Sequence, residues 1–109
     1  MIYKSTRGAA AEVKAAQAIV KGIAEDGGLF VPETIPAISD KDFAAMVNED
    51  YRTRAERIFA MYLTDFTADE IKDCVNKAYS VEKFGSDHAA PLHKLTDDKY
   101  ILESPTLIN

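Results

Sequence analysis

Residues 51–66 carry the feature that most constrains the fold, a long apolar face with helical spacing. Apolar side chains recur there every three or four residues, which places them on one side of an α-helix. The members of this face are Tyr51, Ala55, Ile58, Phe59, Tyr62, Leu63 and Phe66. We expect this helix to lie at the centre of the core. A chain of 109 residues has room for one such core and therefore for one domain.

Two helix-start signals flank this segment. Thr67 and Glu70 have the spacing of a capping box, in which the threonine accepts a hydrogen bond from a first-turn amide and the glutamate reaches back. Ser39 and Asp42 have the same spacing, and their acidic first turn suits the helix dipole. The sequence therefore predicts a short helix after Ser39 and a further helix after Thr67.

Cys74 is the only cysteine, so no internal disulfide can form and a reducing, cytoplasmic setting is expected. It lies between Ile71 and Val75 in the apolar pattern of the helix after residue 67, which we expect to close at Tyr79 or Ser80. We interpret Cys74 as a small buried side chain rather than a reactive thiol.

The pattern of residues 2–32 predicts a short strand, a helix and a second short strand, in that order. Ile2 to Thr6 alternates apolar and polar side chains and is followed by Gly8, which indicates a strand and a turn. From Ala9 the composition is helical until residues 26–28, Asp-Gly-Gly, because glycines permit the positive φ that ends helices. Leu29, Phe30 and Val31 are predicted to form a second short strand, which Pro32 closes. The predicted buried stripe of the helix consists of Val13, Ala16, Val20 and Ile23.

Two β-like runs follow Pro91, namely Leu92 to Leu95 and Tyr100 to Glu103, and the turn-prone residues 96–99 separate them. We interpret them as a β-hairpin. No repeat, low-complexity stretch or linker divides the chain. The sequence thus predicts one α+β domain over residues 1–109, mostly helical, with about four helices, a short N-terminal strand and a C-terminal β-hairpin.

The charge balance limits the classes of partner. A net charge of −5 and a pI near 4.9 argue against nucleic acid or an anionic membrane, since both need a basic surface. No apolar run has the length of a membrane span. Arg52, Arg54 and Arg57 form the densest basic group, which we interpret as a solvated helix face, with an anion or acidic-partner patch as the alternative.

Ser5, Thr6 and Arg7 are the candidate binding residues. Two hydroxyls, a guanidinium and the flexible Gly8 stand between the predicted strand and helix, where they could line a site for an anion, on the substrate side, near the helix N-terminus. The alternative is a structural one, in which the hydroxyls end the strand and cap the helix.

Other chemistry-bearing residues give weaker signals. His88 and His93 flank a proline at a spacing that does not bring two rings to one metal ion, so we expect ordinary surface histidines. Adjacent carboxylates stand at predicted helix starts or turns, where structure explains them. These pairs are Asp40/Asp42, Asp69/Glu70 and Asp97/Asp98.

Several stretches, read in order, resemble the start of threonine synthases. The matching stretches are residues 3–8 (YKSTRG), 21–24 (KGIA), 26–32 (DGGLFVP), 90–92 (APL) and 100–103 (YILE). The resemblance implies a small N-terminal domain that leads into a larger cofactor-binding body, in a cytoplasmic enzyme of threonine biosynthesis. It further implies that the parent enzyme uses pyridoxal 5'-phosphate to convert O-phosphohomoserine and water into threonine and phosphate.

The resemblance also implies that the chain ends before the lysine that forms the imine with the cofactor in this family. The nearest lysine to the C-terminus, Lys99, falls in the predicted hairpin turn, and no glycine-rich phosphate cradle is present. We therefore expect no catalytic, cofactor-binding or metal-binding residue in this chain and no activity of the fragment alone. Its expected partner is the missing cofactor-binding domain. The alternative hypothesis is a non-catalytic interaction module that docks on a partner or self-associates.

Overall fold

The computed structural model describes residues 1–84 and 91–102 as a small α+β domain, so the predicted fold class is confirmed. Among the described residues, no helix combines the length and apolar character needed to cross a bilayer. The elements in chain order are β1 (Tyr3–Ser5), α1 (Ala15–Lys21), β2 (Phe30–Pro32), α2 (Asp40–Met46), α3 (Tyr51–Tyr62), α4 (Ala68–Ala78), α5 (Val81–Phe84), β3 (Leu92–Lys94) and β4 (Tyr100–Leu102).

Strands β1 and β2 form an antiparallel two-stranded ribbon, a pairing that the sequence analysis did not propose. The register places Tyr3 opposite Pro32 and Ser5 opposite Phe30. Because Ser5 ends β1, the chain leaves the ribbon there and enters the loop that carries Thr6 and Arg7.

Helix α1 begins at Ala15 and not at Ala9 as predicted. The N–H of Val13 donates to the carbonyl oxygen of Tyr3 at 3.1 Å, and the N–H of Tyr3 donates to the carbonyl oxygen of Val13 at 2.8 Å. The backbone before α1 is therefore held beside β1 and cannot be helical. The helix ends at Lys21 and is followed by Gly22, whose φ of 71° is a conformation that glycine tolerates best.

The buried face of α1 also differs from the predicted stripe. Ala15 and Ala18 are 1% and 9% exposed, whereas Val20 and Ile23 are 86% and 64% exposed. Val13 and Ile23 lie outside α1, so only Ala16 and Val20 of the predicted stripe are helical. Val13 is buried as predicted, at 6% exposure, whereas Val20 and Ile23 of the predicted stripe face outward.

Both predicted helix-start signals are confirmed. The Ser39 hydroxyl accepts a hydrogen bond from the N–H of Asp42 at 3.1 Å and begins α2. The Thr67 hydroxyl accepts from the N–H of Glu70 at 3.3 Å, and the Glu70 carboxylate accepts from the N–H of Thr67 at 2.8 Å. This reciprocal capping box begins α4.

Helix α3 is not the buried centre of the core that its apolar face predicted. None of its residues, all of them within the described part of the chain, is fully buried. It ends at Tyr62 because Leu63 leaves the helical region at φ −91° and ψ 56°. Helix α3 packs against α4, and α4 supplies the buried side chains, Ile71 and Val75.

Cys74 is exposed, which contradicts the expectation that it is buried. Ile71 and Val75 are separated by one helical turn and define the inward face of α4. Cys74 precedes Val75 by one residue and therefore lies about 100° away around the helix.

The C-terminal hairpin is confirmed over the residues that the structure describes. Strands β3 and β4 are antiparallel, with Leu92 opposite Leu102 and Lys94 opposite Tyr100. Every residue of the two strands is exposed. Glu103, the last residue of the predicted strand, lies outside the described residues.

Candidate functional site

The carboxylate of Asp26 joins the end of β1 to the turn before β2. Its Oδ1 accepts hydrogen bonds from the Ser5 hydroxyl at 2.6 Å and from the N–H of Gly28 at 2.9 Å. Its Oδ2 accepts from the N–H of Ala9 at 2.9 Å and from that of Ala10 at 3.0 Å. Four donors thus converge on one carboxylate and hold the two loop segments in one arrangement.

These donors lower the pKa of Asp26 from 3.8 to about 2. The hydrogen bond from the Ser5 hydroxyl is the largest cause, and the one from the Gly28 N–H is the next. Hydrogen bonds to the charged form favour it, while desolvation of the carboxyl acts in the opposite direction. Asp26 is therefore ionised at neutral pH.

The hydroxyls of Ser5 and Thr6 both serve the local fold. Ser5 is 7% exposed, and its oxygen accepts a further hydrogen bond from the N–H of Arg7 at 3.1 Å. The Thr6 hydroxyl accepts from the N–H of Leu29 at 3.0 Å, and the N–H of Thr6 donates to the Leu29 carbonyl at 2.9 Å. These contacts tie the loop after β1 to the residue before β2.

The Arg7 guanidinium lies at the surface above the same turn. Its Nη1 donates to the main-chain carbonyl oxygen of Asp26 at 3.0 Å rather than to the Asp26 carboxylate. Within the described ranges 1–84 and 91–102, no carboxylate forms an ion pair with Arg7. The guanidinium is therefore held by a hydrogen bond through Nη1, but it forms no ion pair with an acidic side chain of the described residues.

Two glycines give the turn the space that this arrangement needs. A Cβ on Gly28 would come within 2.1 Å of the Ser5 hydroxyl oxygen, which leaves no room for a side chain. Gly27 has a φ of 77°, and a Cβ there would lie 3.0 Å from Nη1 of Arg7. A side chain at Gly27 would therefore crowd the Arg7 guanidinium.

The structure brings the predicted residues Ser5, Thr6 and Arg7 together, but not beside a helix N-terminus, because α1 begins at Ala15. Asp26, the group that organises them, was not among the residues predicted from the sequence. Its position at the end of the helical pattern, directly before two glycines, was the available signal. Binding of an external anion by these residues stays a prediction.

A second polar cluster connects the N-terminal ribbon to the loop between α3 and α4. The Asp65 carboxylate accepts a hydrogen bond from the N–H of Ala16 at 3.0 Å, and this bond is the largest cause of the lowered pKa of Asp65. The Tyr3 hydroxyl donates to the carbonyl oxygen of Tyr62 at 3.1 Å. Asp65, which lies in the loop after α3, thus accepts a hydrogen bond from the first turn of α1 and acts as a cap for that helix.

The three arginines of α3 make structural contacts. Arg52 donates to the Tyr79 carbonyl at the end of α4 at 2.8 Å. Arg54 donates to two carbonyls at the end of α2 at 2.7 and 2.8 Å. Arg57 forms an ion pair with Glu49. The guanidinium groups thus bind helix ends and a carboxylate, an arrangement that neither the solvated-face nor the anion-patch interpretation included.

The remaining candidates show no arrangement typical of catalysis. The three carboxylate pairs occupy the first turns of α2 and α4 and the turn of the hairpin. In the part of the chain that the structure describes, no group of three or more potential ligand side chains could hold a metal ion. His93 lies in β3, and His88 lies outside the described residues.

A sequence model of the family described as "Threonine synthase N terminus" matches residues 2–79. The chain belongs to this family. The threonine synthase of Methylobacillus glycogenes is 32% identical over 98% of the chain, and that of Pseudomonas aeruginosa is 34% identical over 98%. The chain covers 25% and 23% of those two enzymes, so it spans about a quarter of their length.

Solved threonine synthase structures share the fold. The pyridoxal-phosphate-bound threonine synthase of Brucella melitensis matches with a TM-score of 0.87 and 29% identity over 98% of the chain and 24% of that enzyme. The yeast threonine synthase matches with a TM-score of 0.79 and 31% identity over 93% of the chain and 21% of that enzyme. The arrangement of ribbon and helices is therefore that of the N-terminal part of these enzymes.

The residues described do not fit pyridoxal phosphate. The cofactor needs a lysine held in a desolvated pocket and a backbone cradle for its phosphate. Every lysine of the chain is exposed, and Lys99 lies next to the start of β4 in the hairpin.

Proposed function

We propose that this chain is the N-terminal domain of a cytoplasmic threonine synthase, whose parent converts O-phosphohomoserine and water into threonine and phosphate. The family match over residues 2–79 carries this proposal. The agreement of fold with the Brucella melitensis enzyme supports it further. In this proposal the 109 residues supply no catalytic group and are inactive alone.

The role of the domain in the parent is to pack against the cofactor-binding body. Helix α1 and the chain after it expose four large apolar side chains, of which Val20 at 86% is the most exposed. The four residues are Ile19, Val20, Ile23 and Leu29. An apolar patch of this kind is typical of a surface that is covered by another domain. We call it the α1 patch.

A chimera tests the proposal. The N-terminal quarter of the Pseudomonas aeruginosa threonine synthase is replaced by this chain, and phosphate release from O-phosphohomoserine is compared with that of the intact enzyme and of the enzyme lacking the segment. We expect the chimera to restore turnover that the truncated enzyme lacks. A chimera that folds and binds pyridoxal phosphate but releases no phosphate would contradict the proposal.

The α1 patch is tested in the same chimera. Val20→Glu should reduce turnover or the stability of the chimera, because a charge would be buried against the body. Lys72→Glu is the matched control, since Lys72 is an exposed residue of α4 and this change should have little effect. Equal loss in both variants would contradict docking through the α1 patch.

The exposed α1 patch also supports the second candidate, an interaction module that self-associates. Light scattering of the purified chain over a range of concentrations tests it. Concentration-dependent dimers that Val20→Glu abolishes would favour the module, and a monomer at all concentrations would count against it.

A further inference from the structure

We infer that Arg7 is an anion-binding residue, which presents its guanidinium to the phosphate or carboxylate group of a ligand. The inference uses the proposed function for the ligand class alone, since a phosphate ester would be the substrate of the parent. The binding of the anion by Arg7 is argued from the contacts of the guanidinium and of the loop that holds it.

Arg7 differs from the other three arginines of the chain in the contacts of its guanidinium. Arg54 uses two of its nitrogens on helix-end carbonyls, and Arg57 uses its guanidinium on the carboxylate of Glu49. Arg52 also makes one hydrogen bond to a carbonyl, at the end of α4, but it donates through Nε, so the edge formed by its Nε and Nη2 is partly used. Among the described residues the Arg7 guanidinium makes one hydrogen bond, from Nη1 to a neutral carbonyl, so the edge formed by Nε and Nη2 has its donors available.

Hydrogen bonds hold the loop that carries Arg7. The Arg7 N–H is bound by the Ser5 hydroxyl, and the N–H groups of Ala9 and Ala10 are bound by Asp26. The guanidinium is held by the hydrogen bond from Nη1 to the main-chain carbonyl oxygen of Asp26. Arginine binds oxyanions through two parallel N–H donors, and holding the group in place before binding reduces the entropy that binding costs.

The charges of Asp26 and Arg7 are not paired with each other by a hydrogen bond. Asp26 is the nearest carboxylate in the hydrogen-bond network, yet its oxygens are occupied by the Ser5 hydroxyl and by backbone N–H groups. Arg7 contacts the main-chain oxygen of that residue instead. The network therefore satisfies the Asp26 charge without using the Arg7 charge, which stays available for a ligand.

Nuclear magnetic resonance of the 109-residue chain tests the inference with inorganic phosphate as the probe. Phosphate is added at neutral pH and constant ionic strength, with chloride as the balancing ion. We expect saturable shifts of the Arg7 Nε–H and of the amides of residues 6–9. An acetate titration distinguishes a phosphate preference from a general preference for oxyanions. Absence of a saturable shift with both anions would overturn the inference.

Two pairs of variants locate the effect. Arg7→Gln should weaken phosphate binding about tenfold, because charge-assisted hydrogen bonds are lost, and Arg7→Lys should weaken it less. In both variants the Ala9 and Ala10 amides report that the loop is still folded. Wild-type binding by a folded Arg7→Gln chain would overturn the inference.

Gly27→Ala displaces the guanidinium without removing it, since the new methyl group would lie 3.0 Å from Nη1. Gly22→Ala is the matched control, because Gly22 has a similar φ of 71° but no atom within 4 Å of a built Cβ. We expect weaker phosphate binding in the first variant alone. Equal binding in both would overturn the inference. The chimera assay is separate, so its failure would affect the proposed function and leave the phosphate result standing.

Discussion

The Ser5 hydroxyl donates to the Asp26 carboxylate at 2.6 Å and also accepts from the Arg7 N–H, so one buried hydroxyl holds two sides of the loop. We expect Ser5→Ala to destabilise the chain by about 1 kcal/mol, which is typical for lost hydrogen bonds at a buried group. Urea unfolding followed by circular dichroism measures it. Thr6→Val, which removes a single hydrogen bond at an exposed position, should cost less. The reverse order would contradict the description of the Asp26 network.

The stability of the chain should fall in acid, and Asp26 should account for part of the fall. The pKa of Asp26 is about 2 in the folded chain against an ordinary 3.8, so its stabilising contribution is present above the ordinary value and is lost as the pH falls through about 2. Asp26→Asn should therefore be less stable than the wild type at neutral pH. The difference should shrink across this acid range.

Unfolding free energies of the wild type and of Asp26→Asn over the pH range check this prediction. Asp65→Asn is a useful comparison, because the pKa of Asp65 is also lowered, mainly by the hydrogen bond from the Ala16 N–H. A constant difference between wild type and Asp26→Asn down to the lowest pH would contradict the assigned pKa.

The features that could be predicted from the sequence are those that neighbouring residues determine. Thr67 and Glu70 are three residues apart, and their capping box forms within one helical turn. The hairpin pairs Leu92 with Leu102 across a short turn. The capping box and the hairpin can be predicted because residue types and spacing within a short segment determine their hydrogen bonds.

The start of α1 could not be predicted in this way, because a contact between separate segments decides it. The helical composition from Ala9 onward is overridden by the hydrogen bonds between Tyr3 and Val13. The buried face then follows Ala15 and Ala18, so Val20 is exposed. Similarly, the candidate anion site could be read from residues 5–7, but the role of Asp26 depends on a fold that brings residues 21 positions apart together.

Asp65 should stabilise α1, although it belongs to a different part of the chain. Its carboxylate accepts from the N–H of Ala16 in the first turn of that helix. We expect Asp65→Ala to cost about 1 kcal/mol, as for the loss of an N-cap, and to speed amide exchange in α1. Hydrogen exchange at Ala18 and Gly22 reports this. Asp69→Ala, in the first turn of α4, should leave these amides unchanged.

Cys74 should react as an exposed thiol in the folded chain. It lies on the outer side of α4, so an aromatic disulfide reagent should modify it fully without denaturant. Modification should leave the circular dichroism spectrum unchanged, because the inward face of α4 is formed by Ile71 and Val75. A thiol that reacts only after unfolding would show instead that the buried interpretation from the sequence was right.

Val75 and Val20 offer a direct test of which apolar residues form the core. Val75 is 2% exposed at the contact between α4 and α3, and Val20 is 86% exposed on α1. Val75→Ala should therefore destabilise the chain by about 2 kcal/mol through lost burial and a residual cavity. Val20→Ala should change the unfolding free energy little, because its side chain is already in water. If Val20→Ala were the more destabilising in the monomeric chain, the outward orientation of the α1 patch would be wrong, and with it the surface that we propose for docking.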